Sequence, residues 1–474
     1  MSREGLKKLR VCLTFAADQE IHVGDMLRTD AGVIYFQLAS SFLRSGFSLS
    51  PIKLKLVPEP QTPLPTEGPV FGGLFGVFAD SLPDGWGLLM MSRAMRRTGI
   101  DDQRTSALDR LAFVGRRAMG ALVYQPASEA NEDLDDEVLE LSRLAAGVDR
   151  VLEGKADDVL PELLVLGGSP GGARPKVVIG VELGVDGEAT GRICAGLDPL
   201  PAGYEHWLVK FRGKEERPDA GIIEYIYAKT AEHVGLKIED TKLFQDARGG
   251  IWFGTRRFDR RRDGERIHLH TLAGLLHADF RLPSLDYEAF LKATCVLTRR
   301  QDDLAAAFLQ AAFNVIFHNR DDHAKNFAFT MSRDRDWRLS PAYDLTYSPG
   351  PGNEHTMSIV GEGRSPTSEH LMMLAHKAGI DQRAAKLILQ RVEDGRTFMV
   401  DQLRQFQVRD HPIKTVLGIT APGPAKQLPV EPHVLAAKGV LLGANPLACP
   451  HCGRRKTRDA QRCLTCHKHW RRSR

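Results

Sequence analysis

The chain lacks long hydrophobic runs, a signal-peptide pattern and internal repeats. No apolar run approaches the roughly 18 residues that a membrane-spanning helix needs, so none is predicted. Residues 1–4 are polar, and a cytoplasmic protein is therefore expected. With 42% hydrophobic and 26% charged residues among 474, the composition is that of a globular protein with room for about two or three domains.

Cysteine is sparse, and its distribution argues against a secreted disulfide framework. Three of the seven cysteines are scattered, at Cys12, Cys194 and Cys295. The other four form two Cys-x-x-Cys pairs, Cys449 with Cys452 and Cys463 with Cys466. This pattern predicts four thiolates around one Zn²⁺, the alternative being free structural cysteines. So small a unit buries too little apolar surface to fold without metal, so we expect a zinc ribbon over residues 448–474.

The net charge of +4 is unevenly distributed along the chain. Residues 453–474 contain nine Lys or Arg against one Asp, which leaves the rest of the chain at −4. Only this tail has the electrostatics of a nucleic-acid contact. Two interpretations stay open: the ribbon and tail bind nucleic acid or an acidic protein face, or the ribbon only caps the large lobe. No helix-turn-helix DNA reader is evident in the sequence.

Composition and punctuation divide the chain into five segments. Glycine- and proline-punctuated apolar segments predict a small α/β subdomain at the N-terminus, followed by an acidic helical stretch. The predicted organisation is an N-terminal subdomain over 1–125, an acidic helical connector over 126–160, a catalytic domain over 161–420, a linker over 421–447 and the zinc ribbon over 448–474.

The strongest functional signal is a polar segment that directly follows an apolar helix pattern. Asp321 precedes Asn326 by five residues, and Asp344 follows 18 residues later. Kinases use this spacing to place a base on the acceptor hydroxyl and two oxygen ligands on Mg²⁺. We therefore predict Asp321 as the base and Asn326 with Asp344 as magnesium ligands. Lys325 or His323 would stabilise charge on the transferred phosphoryl group, although His323 also fits a satisfied core histidine.

A glycine-rich loop precedes this catalytic segment. Whether a helix or a strand follows the loop shows which type of phosphate-binding loop it is. A Walker loop would lead into a helix, whereas residues 177–181 read as a strand. Loop, strand, hairpin and a strand bearing Lys210 follow the order of a kinase small lobe, in which one lysine holds the phosphates. An ordinary turn is the alternative for the loop. The next helix carries Glu224, which either pairs with Lys210 or lies on an exposed helix face.

Two further segments receive structural interpretations. The charge cluster that contains Arg256 and Phe258 falls where a hinge between two lobes would lie. His268, His270 and His277 follow it, but the Cys, Asp or Glu partners of a metal site are not spaced around them. We interpret these histidines as structural or interface residues.

Five motifs together carry a family resemblance, at residues 168–176, 208–211, 257–260, 321–326 and 343–345. They resemble the HipA-like serine/threonine kinase toxins of bacterial toxin–antitoxin systems, over about residues 1 to 420. The resemblance implies an α+β, protein-kinase-like, two-lobed fold with an added N-terminal subdomain. It also implies ATP and Mg²⁺ as cofactors, a separate antitoxin protein, and protein targets such as aminoacyl-tRNA synthetases. The zinc ribbon has no counterpart in this pattern.

The resemblance assigns roles to individual residues. It repeats the roles given above for Asp321, Asn326 and Asp344, and makes Lys210 the phosphate-holding lysine. Ser169 matches a loop serine that family members autophosphorylate, which would move the loop out of the nucleotide site. The nucleotide site as a whole would comprise Ser169, Gly171, Gly172, Ala173, Arg174, Lys176, Lys210, Glu224, Arg256, Phe258, His323, Lys325 and Tyr343. A second function stays open: a catalytically vestigial protein that docks on nucleic acid or a partner through its ribbon.

Overall fold

The computed structural model describes residues 6–16, 19–97, 99–100, 105–127, 139–154, 161–167, 172–246, 249–418 and 440–442. Helices and strands are mixed along this part of the chain, as the predicted α+β class requires. None of its helices is both long and apolar enough to cross a membrane. The predicted zinc ribbon, including all four of its cysteines, lies outside the described residues.

The N-terminal domain is built on a four-stranded antiparallel sheet in the order β3-β2-β1-β4. Its strands are β1 (Lys8–Ala16), β2 (Gln19–Arg28), β3 (Ile34–Leu38) and β4 (Leu122–Gln125). Four α-helices of its described residues complete it: α1 (Ser40–Leu43), α2 (Gly76–Ala79), α3 (Gly85–Arg97) and α4 (Ala107–Val114). Leu9, Val11, Leu13 and Phe15 of β1 join the N-terminal core, and Cys12 and Thr14 between them are also buried. Helix α4 begins with a capping box formed by Ser106 and Asp109.

The small lobe contains a six-stranded sheet in the order β13-β8-β9-β7-β5-β6. Its strands are β5 (Lys176–Leu183), β6 (Ala189–Ala195), β7 (Tyr204–Lys210), β8 (Thr241–Gln245), β9 (Ile251–Arg256) and β13 (Val440–Leu442). Residues 440–442, which lie inside the predicted linker over 421–447, pair in parallel with β8.

Three helices pack on one face of this sheet, and one of them belongs to the N-terminal domain. They are α3, α5 (Leu141–Leu152) and α6 (Pro161–Leu166). Trp86 and Met90 of α3 join a buried cluster with Val177 and Val209 of the sheet. The N-terminal domain is therefore anchored directly on the small lobe, beside the segment that leads into β5.

The large lobe is mainly helical. Its helices are α8 (Leu272–Leu276), α9 (Tyr287–Thr298), α10 (Gln301–Ile316), α11 (Ser368–Lys377), α12 (Gln382–Gln405) and α13 (Ile413–Val416). A three-stranded sheet of β10 (His268–Thr271), β11 (Ala328–Met331) and β12 (Trp337–Leu339) adjoins them. Helix α7 (Ala220–His233) connects the lobes, since Ile223, Ile226 and Tyr227 join the large-lobe core. Helix α10 is almost wholly buried and delivers the chain to the predicted catalytic segment.

The three histidines at 268, 270 and 277 lie between the N-terminal domain and the large lobe. The Nδ1 atom of His270 is 2.7 Å from a carboxylate oxygen of Asp80, and that of His277 is 2.8 Å from one of Glu67. His268 is fully buried, with Nε2 3.3 Å from the Leu49 carbonyl oxygen. Their contacts are those of interface residues.

Candidate active site

Lys210 lies at the centre of a buried ion-pair chain between the lobes. Its Nζ donates to Oε1 of Glu224 on α7 and to Oδ1 of Asp344 in the large lobe. Lys210 and Glu224 are 5% and 2% exposed, so each charge is stabilised by the other rather than by water. Glu224 therefore lies on a buried helix face and not on an exposed one. Its second oxygen accepts from Nη1 of Arg174, which extends the chain to the glycine loop.

A second lysine, Lys176, lies directly opposite Lys210 across the β5–β7 ladder. It is also buried, at 4% exposure. Burial, together with the neighbouring Lys210 charge, lowers the pKa of Lys176. For Lys210 burial acts in the same direction, but Asp344 and Glu224 outweigh it and raise the pKa above its usual value. The nearby carboxylates therefore stabilise the charged form of Lys210 more than burial opposes it. For Lys176 the nearby carboxylates do not offset the effect of burial.

Asp321 lies in the open segment that follows α10, and its side chain is 59% exposed. Its backbone carbonyl accepts a 2.7 Å hydrogen bond from Nδ2 of Asn326, which ties the two predicted site residues together. His323 places Nε2 4.0 Å from Oδ1 of Asp321. Partial desolvation and the nearby charges of Asp344 and Asp322 raise the pKa of Asp321, although His323 opposes the shift. A carboxylate that is accessible and has a raised pKa suits proton abstraction from a hydroxyl.

The neighbouring Asp322 is in a different environment. It is 1% exposed and accepts hydrogen bonds of 2.7 Å from the Tyr287 hydroxyl and the Thr356 backbone N–H. Nδ1 of His355 lies at the same distance. Asp322 thus fastens α9 and the segment around Thr356 beneath the catalytic segment, and only Asp321 faces the open cleft.

Asp344 adopts a left-handed backbone conformation, with φ of +53°. Aspartate and asparagine tolerate this region better than most residues. Burial disfavours its charged form, but Lys210 and Lys176 outweigh this effect and hold its pKa well below the usual range. The carboxylate is therefore ionised across the physiological range.

The hinge region places Phe258 beside Tyr343, with ring centroids 5.8 Å apart. The Tyr343 hydroxyl donates to the Lys325 backbone carbonyl at 2.6 Å, so one side of this aromatic pair is fixed to the catalytic segment. Arg256 is instead held by Glu239, to which its Nη2 donates at 2.8 Å. Both Arg256 and Phe258 also line a cavity of about 530 Å³ beside the hinge.

An aspartate of the N-terminal domain also reaches the site. Oδ2 of Asp84 accepts from Lys325 Nζ at 2.7 Å, and Oδ1 accepts from the backbone N–H of Gly172. Lys325 Nζ lies 4.2 Å from the centroid of the Phe280 ring, a cation–π contact. The end of the glycine loop and the catalytic segment are thus joined through one carboxylate from a third part of the chain.

Comparison with known proteins bears on this arrangement. The model of the HipA-like C-terminal domain matches residues 168–397, and that of the HipA N-terminal domain matches residues 16–125. Together the two models match most of the chain. The chain belongs to the HipA family. No curated protein matches this HipA-family chain.

Two solved structures illustrate the likeness. HipA of Shewanella oneidensis MR-1, in a toxin–antitoxin complex with HipB and operator DNA, is 18% identical with a TM-score of 0.60. That match covers 86% of this chain and 94% of the Shewanella chain, and it shows a shared fold. The proinflammatory kinase CtkA of Helicobacter pylori is 13% identical with a TM-score of 0.29, covering 42% of this chain and 87% of its own. The second likeness is too low to support an argument about fold.

The chemistry of the site fits a nucleotide-bound Mg²⁺. Nδ2 of Asn326 is occupied by the Asp321 carbonyl, which turns the amide oxygen away from that bond. Within the described ranges no group of three or more His, Cys, Asp or Glu side chains is arranged to hold a metal ion. Protein sites for Mg²⁺ often supply only one or two oxygen ligands and leave the rest to substrate phosphates and water. Asn326 and Asp344 would meet that need in this HipA-family chain.

The sequence-predicted nucleotide site is only partly within the described chain. Gly172, Ala173, Arg174 and Lys176 are described, whereas Ser169 and Gly171 lie outside. Arg174 donates to the Glu224 carboxylate and, through Nε, to the Phe211 carbonyl at 3.0 Å. Asp84 was missed as a site residue, because sequence patterning explains it only as part of a turn before α3. Its 241-residue separation from Lys325 leaves no local signal of their contact.

Proposed function

We propose that this HipA-family chain is an ATP- and Mg²⁺-dependent serine/threonine protein kinase that acts as a toxin. The observation that carries the proposal is Lys210, fixed between Glu224 and Asp344 in a buried chain. A lysine paired with a helix glutamate and an aspartate near the metal position is the arrangement by which kinases hold ATP phosphates. The open Asp321 lies in the adjoining catalytic segment, where an acceptor hydroxyl could approach it.

The proposed roles follow from position and charge. Lys210 and Lys176 would bind the nucleotide phosphates, and Asp321 would accept the proton of the acceptor hydroxyl. Asn326 and Asp344 would hold Mg²⁺, which when bound neutralises charge on the phosphates. Lys325 or His323 would stabilise charge on the transferred group. For His323, the 4.0 Å approach of Nε2 to Asp321 supports a position at the site.

The direct test is incubation of the purified chain with radiolabelled ATP and Mg²⁺, followed by mapping of any labelled residue. We expect label on the chain itself, and none with the Asp321→Asn variant. Labelled Ser169 would support autophosphorylation at that position. A phosphate there adds about two negative charges to the loop that cradles the nucleotide phosphates, so repulsion should weaken ATP binding. Absence of phosphate on Ser169 after long incubation would refute this regulatory route.

Partners are proposed from the family. Because the Shewanella relative is seen with HipB and operator DNA, we propose a separate antitoxin protein for this chain. An aminoacyl-tRNA synthetase is the first target to test, by adding purified synthetases to the radiolabelling reaction. Label on a synthetase that depends on Asp321 would identify the substrate class.

The C-terminal tail favours an additional docking role, or, if transfer is absent, a binding protein with a vestigial kinase body. The specific observation is that residues 453–474, around the predicted zinc-binding cysteines, contain nine basic residues and one acidic residue. Four thiolates with one Zn²⁺ carry about −2, so the folded ribbon would remain positive. Deletion of residues 445–474 should then leave ATP turnover unchanged and weaken salt-sensitive association with tRNA, DNA or the target. Lost thermal stability and turnover without a change in association would indicate a capping role.

A further inference from the structure

The N-terminal domain grips the end of the glycine loop through residues 84–86. The backbone N–H of Trp86 donates to the Gly172 carbonyl at 3.0 Å, while the Gly172 N–H donates to the Asp84 carboxylate. Gly85 lies between them with φ of +46°, and a Cβ there would be 2.5 Å from the Gly172 carbonyl oxygen. Only glycine permits so close an approach of two backbones. The contact is therefore built into the local backbone rather than made by one mobile side chain.

The same carboxylate fixes Lys325 in the catalytic segment. The Asp84 and Lys325 side chains are 23% and 17% exposed, so solvent screens their 2.7 Å ion pair only in part. Phe280 lies against the ammonium from another side. A lysine ammonium has three N–H donors, and this pair uses one, which leaves others for a phosphoryl oxygen. Asp84 and Phe280 thus orient Lys325 and leave N–H donors of its ammonium available to a substrate.

We propose that Asp84 is a positioning residue of the phosphotransfer reaction, supplied by the N-terminal domain. Its carboxylate holds Lys325 toward the transferred phosphoryl group and holds Gly172, the first described residue of the glycine loop, beside the nucleotide phosphates. This inference rests on the proposed kinase function. Burial opposes the ionised form of Asp84, but Lys325, the Gly172 N–H and Lys176 outweigh burial and lower its pKa, so the carboxylate is charged under working conditions.

Asp80 provides a matched comparison within the same domain. It accepts from the Thr271 N–H at 2.8 Å and from the Thr271 hydroxyl at 2.6 Å, and it lies 2.7 Å from Nδ1 of His270. These contacts join the N-terminal domain to the large lobe without touching Lys325 or Gly172. Asp80→Asn therefore loosens the domain interface alone, whereas Asp84→Asn disturbs the two groups at the site.

The test measures kcat and KM for ATP in the full-length chain. Misplacing a group that contacts the reacting centre costs up to about a hundredfold, so Asp84→Asn should lower kcat by about ten- to a hundredfold. KM for ATP should change less than about threefold, because the amide oxygen can still accept from Gly172. Asp80→Asn should reduce thermal stability and leave kcat within about threefold. An equal fall of kcat in Asp80→Asn would overturn the inference.

A double-mutant cycle asks whether Asp84 acts through Lys325. In a Lys325→Met background, Asp84→Asn should change kcat by less than about threefold, since the group it orients is gone. Full additivity of the two substitutions would refute a positioning role. A rise in kcat or in ATP affinity with Asp84→Asn alone would also refute it, because the carboxylate would then be blocking the phosphate site.

Nucleotide binding separates this inference from the proposed function. If the unmodified chain transfers no phosphate, the kinase proposal fails. The contact between Asp84 and Gly172 can then still be tested by measuring the Kd for Mg²⁺-ATP. Asp84→Ala removes the acceptor for the Gly172 N–H and should then weaken ATP binding by about tenfold. An unchanged Kd would overturn the inference in that case.

Discussion

Substitution of Asp321 by asparagine should stop phosphotransfer and leave the fold intact. The change keeps the side-chain volume and removes one carboxylate, which is 59% exposed and has Nε2 of His323 as a neighbour at 4.0 Å. Loss of a general base typically costs about 10²–10⁴-fold in rate. Exposed positions without close partners alter the free energy of unfolding by only about 0.5 kcal/mol. We therefore expect an inactive variant of normal stability.

The substitution Asp322→Asn should have the opposite pattern of effects: it should lower the stability of the fold and leave phosphotransfer largely intact. Asp322 is buried and accepts 2.7 Å hydrogen bonds from Tyr287 and Thr356, with His355 Nδ1 at the same distance. Asparagine offers one oxygen in place of two and carries no charge. Hydrogen bonds to a charged group contribute about 1.5–3 kcal/mol each, so the free energy of unfolding should fall by about 3 kcal/mol or more. The folded fraction should retain phosphotransfer within about tenfold of the unmodified chain, because Asp321 is unchanged.

Two assays on the same preparations distinguish these outcomes. Urea unfolding followed by tryptophan fluorescence gives the free energy of unfolding, and transfer of radiolabel from ATP gives activity. The reasoning is refuted if Asp321→Asn retains near wild-type transfer. It is equally refuted if Asp322→Asn abolishes transfer at unchanged stability, since the two aspartates would then have exchanged roles.

Three further outcomes follow from the charges of the site and the hinge. Glu224→Gln weakens the hold on buried Lys210 and should lower kcat/KM for ATP by about ten- to a hundredfold in steady-state assays. Because desolvation raises the pKa of Asp321, activity should fall with acid at a midpoint above that of an ordinary aspartate in a pH–rate profile, and a midpoint at or below the ordinary value would contradict this. Asp259 is fully buried between Arg257 and Arg260, which together outweigh burial and depress its pKa, so Asp259→Asn should cost about 3–5 kcal/mol at pH 7 in urea unfolding. That loss should shrink as the pH falls from the ordinary aspartate pKa of the unfolded chain toward the depressed pKa of Asp259, and it should be gone below the depressed pKa.

Much of the candidate site could be predicted because its parts are close in sequence or follow a fixed order. Asp321 and Asn326 lie in one segment directly after α10, and spacing alone indicates their relation. Lys210 and Glu224 are 14 residues apart, on a strand and the helix that follows it. Their pairing needs only the geometry of one strand–helix connection. Pattern reasoning reaches this far because each relation is local.

Contacts between distant segments could not be predicted in this way. Arg174 stays a predicted nucleotide residue, but the hydrogen bond from its guanidinium to Glu224, 50 residues away, has no local sequence signal. The division of labour between Asp321 and Asp322 depends on Tyr287 and His355, which reach Asp322 from other elements. Adjacent identical residues have the same local signal, so only the packing around them separates a buried anchor from an exposed base.

The position of Asp84 indicates that the N-terminal domain is coupled to both the small and the large lobe. Its sheet has a separate hydrophobic core, which alone would suggest an independent accessory unit. However, its helix α3 packs on the small-lobe sheet, Asp80 binds Thr271 in the large lobe, and Asp84 joins Gly172 to Lys325. The α3 packing links the domains through buried apolar area, and the Asp80 and Asp84 contacts link them because a buried or half-buried charge whose partner is removed is costly. Relative movement of the two lobes must therefore break these contacts or move the N-terminal domain with them, and the position of Lys325 depends on the contact that Asp84 makes.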